Sequence, residues 1–366
     1  MDFDRLLQTV VDADASDLIL KVGSQPAMKQ SGKVLFLAKE ILTDADLDVV
    51  LVRIADETAR KRVAEAGEAD FAWEHPDLGR VRVNAFRTCG RVSVVMRQVK
   101  RTVPGFAELF LPEQQFRKLA ALERGLVLVT GVTGSGKSTT VASLLEEVNH
   151  TRNKHVVTLE DPIEFRFQDN LSLIQQREVG VDTKSWVSGL RAAMREAPDV
   201  IMIGEIRDTE TMSAAIAAAE TGHLVISTLH TVNAMQTVER VMTFFPPHQH
   251  DLVRFQLSTV LQGVASQRLI PCLQTARMVP AVELLMSAPR VRELLREGKT
   301  HELEKALVEG AEYWGTQTFN MSLKTHIDAG RISVDDALAA SDNPDDLKLA
   351  LRGVTKGTDR RLAITK

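Results

Sequence analysis

The stretch Gly131-Val132-Thr133-Gly134-Ser135-Gly136-Lys137-Ser138-Thr139 carries the spacing G-x-x-x-x-G-K-[ST]. It follows an apolar run at 126–130 and opens a segment of helical character. A strand, a glycine-rich loop and a helix in that order constrain this chain more than any other feature. Gly131, Gly134 and Gly136 let the backbone turn its N–H groups toward an anion, and the helix start adds positive potential at the same point. Lys137 is placed to neutralise β- and γ-phosphates, and Ser138 to offer its hydroxyl to Mg²⁺. ATP and Mg²⁺ are therefore the expected ligands. All nine loop residues, including Val132, Thr133 and Thr139, form the expected binding element.

The surrounding periodicity agrees with that placement. After Phe116, short apolar runs at 126–130, 156–159, 200–203 and 224–228 alternate with helix-length segments, which predicts a parallel sheet with crossover helices. Past Pro246 the pattern reads as mostly helical, with an apolar stretch at 278–285 and amphipathic segments near 291–307 and 318–327. Ahead of the loop, residues 3–99 predict a small α+β domain: an opening helix, a strand at 17–22, a helix from Thr43, and alternating strands through Phe71, Val81 and Val92. The Pro104-Gly105 and Leu111-Pro112 pairs mark a break between the two. The expected organisation is an α/β protein with an N-terminal domain at 1–100, a linker at 101–115, a nucleotide-binding core at 116–285, a helical region at 286–354 and a frayed basic tail at 355–366.

Composition narrows the partners. A formal charge of −4 over 366 residues gives no global attraction to nucleic acid or anionic lipid. Cys89 and Cys272 stand alone, without the spacing of a zinc site or a disulfide framework. The apolar runs are too short to cross a bilayer and the N-terminus lacks the form of a leader, so a cytoplasmic protein without direct membrane insertion is expected.

Hydrolysis needs a group to orient water, and acids at the carboxyl ends of strands beside the loop are the place to look. The run at 200–203 ends in Gly204-Glu205, and the run at 156–159 in Glu160-Asp161-Pro162-Ile163-Glu164. The 224–229 segment is bracketed by His223 and His230, which would stand roughly 23 Å apart on an extended chain. His230, at the carboxyl end, is the expected γ-phosphate sensor, and His223 should lie toward the opposite edge.

Taken together, Arg82-Val83-Asn84-Ala85-Phe86, the glycine loop, the acidic box at 159–165, Gln176-Arg177-Glu178-Val179-Gly180, the segment 199–208, Thr221-Gly222-His223 and Thr228-Leu229-His230-Thr231 resemble the type IV pilus retraction ATPases, the PilT and PilU group of the wider secretion ATPases. The resemblance implies a PAS-like N-terminal domain, a RecA-like ATPase domain and a homohexamer with ATP between neighbours. It implies Glu205 as the catalytic carboxylate and Glu160 and Glu164 as partners near Mg²⁺ and water, Glu160 itself as a Mg²⁺ ligand. Arg82 and Arg97, with Arg80 as a further candidate, would reach ATP across a boundary. It also implies a location peripheral to the inner membrane, against a pilus platform protein, with a second retraction ATPase as a further partner. The segment Arg290-Val291-Arg292-Glu293-Leu294 and Val132 depart from the usual retraction-motor wording, and Asn343-Pro344-Asp345-Asp346-Leu347 is closer to the PilU side. Motor and accessory ring both remain open at this point, and a nucleic-acid translocase is disfavoured by the absence of a basic stripe interleaved with aromatics.

Overall fold

The computed structural model describes residues 2–13, 15–30, 33–99, 102–275 and 277–353, and the expected tail at 355–366 lies outside them. The chain forms two units, Met1–Arg101 and Thr102–Lys366.

The first unit contains α1 (Phe3–Asp12), β1 (Asp17–Lys21), β2 (Ala27–Gln30), β3 (Lys33–Phe36), α2 (Asp44–Ile54), α3 (Glu57–Glu65), β4 (Glu68–His75), β5 (Gly79–Thr88) and β6 (Arg91–Gln98). Helix α1 starts where Asp2 accepts a hydrogen bond from the Arg5 N–H, and its buried Phe3, Leu6, Leu7 and Val10 fall on one helical face. Thr43 and Asp46 form a reciprocal capping box that starts α2. The strands form an antiparallel sheet in the order β3-β2-β1-β6-β5-β4. Alternation along them sends Leu18, Leu20, Val81, Val83, Val94 and Met96 into a core shared with the three helices. Register then places Arg82 opposite Arg97, on the residues that alternate with that core set.

The second unit contains α4 (Glu113–Ala120), β7 (Gly125–Thr130), α5 (Lys137–Thr151), β8 (His155–Glu160), β9 (Leu173–Glu178), α6 (Trp186–Ala193), β10 (Val200–Ile203), α7 (Thr209–Glu220), β11 (Leu224–Leu229), α8 (Ala234–Thr243), α9 (His250–Val260), β12 (Leu261–Pro271) and β13 (Met278–Met286). It continues through α10 (Pro289–Glu297), α11 (Leu303–Glu309), α12 (Ala311–Trp314), α13 (Phe319–Asp328), α14 (Val334–Ala340) and α15 (Pro344–Leu351). Its sheet has the order β13-β12-β7-β11-β10-β8-β9, parallel except for β13. Both faces are covered. Leu126, Leu128, Ile201, Ile203 and Val225 enter one core, while Val127, Val129, Val200, Met202 and Ile226 enter the other. That is why these strands read as continuous apolar runs rather than alternating ones. Phe106 and Leu111, from the segment expected as a linker, are buried in the second of these cores.

Residues past Pro246 were expected to be mostly helical apart from one apolar stretch, yet residues 261–271 form β12, paired parallel with β7 and antiparallel with β13. Gly263, Ala265, Ser266 and Gln267 interrupt the apolar signal there. Gly263 answers a packing demand: a Cβ at that position would stand 2.7 Å from Leu119 Cδ2. Strand β9, with its polar Gln175, Gln176 and Arg177, was likewise not anticipated.

Candidate nucleotide site

The carboxyl ends of β7, β11 and β10 lie side by side, and the glycine loop, Glu205 and His230 follow them. Strand β7 runs into the loop 131–136, and α5 begins at Lys137 with Gly136 as its N-cap at φ 89° and no side-chain cap. The first N–H groups of this helix therefore have no capping side chain, the arrangement that receives phosphate oxygens. Gly131 has φ 146°, and a Cβ on it would stand 2.4 Å from Ser135 Oγ and 2.6 Å from the Gln267 carbonyl oxygen, so no other residue fits. Lys137 Nζ donates to the carbonyl oxygens of Gly131 (2.8 Å) and Val132 (2.9 Å). Burial pulls its pKa down, and the charge of Glu205 works in the opposite direction. Val132, Thr133, Gly134 and Ser138 are exposed along the loop, and Thr139 is half-buried.

Glu205 follows directly from β10, and His230 from β11. Register holds both: Ile203 pairs with Ser227, Thr228 Oγ1 donates to the Gly204 carbonyl at 2.6 Å, and the Ile206 N–H donates to the Thr228 carbonyl at 3.2 Å. His230 Nε2 then lies 3.2 Å from Glu205 Oε2, and Arg207 pairs with Glu205 Oε1. The sequence reading did not single out Arg207. Its spacing of two from Glu205 was the available signal. Beyond His230, α8 is fastened at its start by Asn233, whose side chain accepts from Gln236 N–H, and by the buried Glu283 of β13, whose Oε1 accepts from Ala234 N–H at 2.7 Å.

The acidic box lies at the end of β8. Glu160 is buried and takes three donors: Thr158 Oγ1 (2.6 Å), Gln176 Nε2 (3.0 Å) and Glu164 N–H (3.4 Å). Burial raises its pKa, and those hydrogen bonds oppose the rise. The same Gln176 Nε2 also donates to the Phe165 carbonyl, so Glu160 organises the box while Glu164 is left exposed to solvent. Gly204 N–H donates to the Leu159 carbonyl, tying box and Glu205 strand end together.

His223 sits at the other end of β11, where its Nδ1 meets the Ala218 carbonyl oxygen at 2.9 Å. Arg82 and Arg97 belong to the first unit. There Arg97 donates through Nε (2.8 Å) and Nη2 (2.7 Å) to Asp17 Oδ1, and Arg80 faces Glu74 at 3.8 Å. Among the described residues no group of three or more His, Cys, Asp or Glu is arranged to hold a metal ion. The exposed hydroxyl of Ser138, in the first turn of α5, could hold a Mg²⁺ that otherwise takes its oxygens from phosphate and water. No helix among the described residues is long and apolar enough to cross a membrane.

The model of the family "Type II/IV secretion system protein" matches residues 16–347. The chain is 38% identical to the type IV pilus ATPase PilU of Pseudomonas aeruginosa, covering 100% of this chain and 96% of that protein. It is 40% identical to the type IV pilus retraction ATPase PilT of the same organism, covering 92% and 97%. The crystal structure of the pilus retraction motor PilT with bound ADP superposes with a TM-score of 0.88 at 38% identity, over 95% of this chain and 99% of that one. With a family model across most of its length and relatives aligned nearly end to end, the chain belongs to the type II/IV secretion system protein family.

Proposed function

We propose that this protein is an ATP-hydrolysing hexameric motor that powers type IV pilus retraction. The observation that carries the reading is the convergence, on three adjacent strand ends, of a phosphate loop with its lysine, a carboxylate and a histidine that touches it. Lys137 and the start of α5 hold the β- and γ-phosphates. Glu205 accepts a proton from, and orients, the attacking water, and His230 reports the γ-phosphate to that carboxylate. Ser138 would hold Mg²⁺, which supplies charge neutralisation between the phosphates. Glu160 serves by fixing the acidic box so that Glu164 faces the water side. Arg82 and Arg97 stabilise charge on the transferred phosphoryl group from a neighbouring subunit of a homohexamer. The ring works in the cytoplasm against a platform protein of the inner membrane, without inserting into the bilayer and without nucleic acid.

Deleting the gene and counting surface pili tests this. Loss of a retraction motor leaves excess pili that do not retract, whereas a bald cell would overturn the reading in favour of an extension motor. A second reading, an accessory ring assisting another retraction ATPase, is favoured by the alignment to PilU across the whole chain. Expression of this protein as the sole retraction ATPase separates the two: restored retraction supports the motor, and dependence on a second ATPase supports the accessory ring.

A further inference from the structure

Strand β12 runs against the phosphate loop. Its Ser266 is in register with Thr130, whose Oγ1 donates to Ser266 Oγ at 2.9 Å, and the next residue along, Gln267, reaches the level where the loop begins. Gln267 is 1% exposed and Ser135 2% exposed. Among the described residues, neither Gln267 Oε1 nor Ser135 Oγ has a hydrogen-bond partner. Both belong to one patch. A Cβ built on Gly131 would touch Ser135 Oγ and the Gln267 carbonyl together, and one built on Gly136 would lie 4.0 Å from Gln267 Nε2. The Gln267 main chain therefore abuts the first glycine of the loop, and its side-chain amide nitrogen lies near the last.

Buried polar atoms are paired in nearly all native proteins, and an orphan carries a desolvation penalty that asks for an explanation. Here two orphans, a hydroxyl in the loop and an amide oxygen on the strand that abuts it, belong to neighbouring parts of the element that grips the ligand. We propose that Gln267 is a positioning residue of the nucleotide site: when phosphates seat in the loop, Ser135 Oγ turns to donate to Gln267 Oε1, and the new bond fixes the loop against β12. Seating the nucleotide then relieves a penalty built into the protein, so part of the binding energy originates under the loop rather than at the phosphates. The inference rests on the nucleotide-site reading above.

The test compares Gln267→Met, close in length but apolar, with Ser135→Ala and with the double variant. Thermal melts alone and with ADP, ADP affinity, and steady-state ATP hydrolysis are measured for each. Met removes the buried orphan, so the melting temperature of the protein alone is expected to hold or rise, while the ADP-induced shift shrinks. ADP affinity is expected to fall about tenfold, the worth of one net hydrogen bond. The Michaelis constant for ATP rises and kcat stays nearly constant. Ser135→Ala should reproduce the loss, and the double variant should be no worse than either single one, because the two act as a pair. Unchanged ADP affinity in Gln267→Met overturns the proposal. So does a fall in melting temperature with the ADP shift intact, which marks a packing role, and so do additive losses in the double variant. Lys137→Ala serves as the control: if it too keeps full ADP affinity, the nucleotide-site reading fails first, and the inference falls with it.

Discussion

At the scale of single residues, the proposed function gives Lys137 and Glu205 separable tasks, and the separation is measurable. Lys137→Ala removes the point charge that faces the phosphates and is expected to weaken ATP binding. Glu205→Gln keeps size and polarity but cannot accept a proton, so nucleotide affinity should stay near that of the parent while kcat falls by at least about 100-fold. Equal losses of affinity in both would remove Glu205 from the water-orienting role. Glu283 makes a different kind of expectation. Burial, reinforced by the charges of Asp342 and Glu304 and opposed by Arg268 and by the bond from Ala234 N–H, pushes its pKa from near 4.5 to about 7. The folded state therefore binds this proton more tightly than the unfolded state does. The contribution to stability is fully present below about pH 4.5 and is lost as pH rises through about 7. Glu283→Gln should thus be more stable than the parent at pH 8, by up to about 3 kcal/mol, and by less than about 1 kcal/mol at pH 5. Denaturant melts at the two pH values check it, and an equal effect at both would show that ionisation is not the cause. The glycine loop, Glu205 and His230 were legible in the sequence because each follows an apolar strand at its carboxyl end. Gln267 and Glu283 were not, because their place depends on a strand and a pairing that only the folded chain reveals.

At the scale of elements, legibility follows burial. Strands β7, β8, β10 and β11 announce themselves because every residue, or nearly every one, faces one of two cores. Strand β9 is an edge strand in which only Glu178 is buried, so it needs no apolar run. Strand β12 is hidden for another reason: it has to pass close to α4 and to the phosphate loop, and small residues make room at the expense of the hydrophobic signal. Gly263→Val tests that account. The added side chain meets Leu119, itself 1% exposed, and overpacking of this kind is expected to destabilise by about 1–3 kcal/mol. Combining it with Leu119→Ala should recover part of the loss, since the cavity made by one change receives the other. Simple addition of the two penalties in denaturant melts would show that β12 does not owe its small residues to this contact.

At the scale of the whole molecule, the proposed role of the first unit's arginines raises the question of whether one chain holds a complete site. Arg82 and Arg97 face each other across β5 and β6, and like charges directly opposite on a sheet oppose each other. Asp17 takes up part of the Arg97 charge through Nε and Nη2. An anion brought against Arg82 and Arg97 by a neighbouring subunit would relieve that opposition. If that anion is the γ-phosphate, turnover depends on assembly, and two defects at the same interface can be separated onto different subunits. Arg97→Ala and Glu205→Ala, each inactive as a pure ring, should then partly restore hydrolysis when dissociated, mixed and reassembled. Some interfaces in such a mixture carry the parental arginine from one chain and the parental glutamate from the next, and activity should peak at an intermediate mixing ratio. Subunit exchange is followed by a label carried on one variant only, and ring assembly of each pure variant is checked before mixing. A site completed within one chain gives a different result: every mixture stays as inactive as its parents, because each chain lacks one of the two groups it needs.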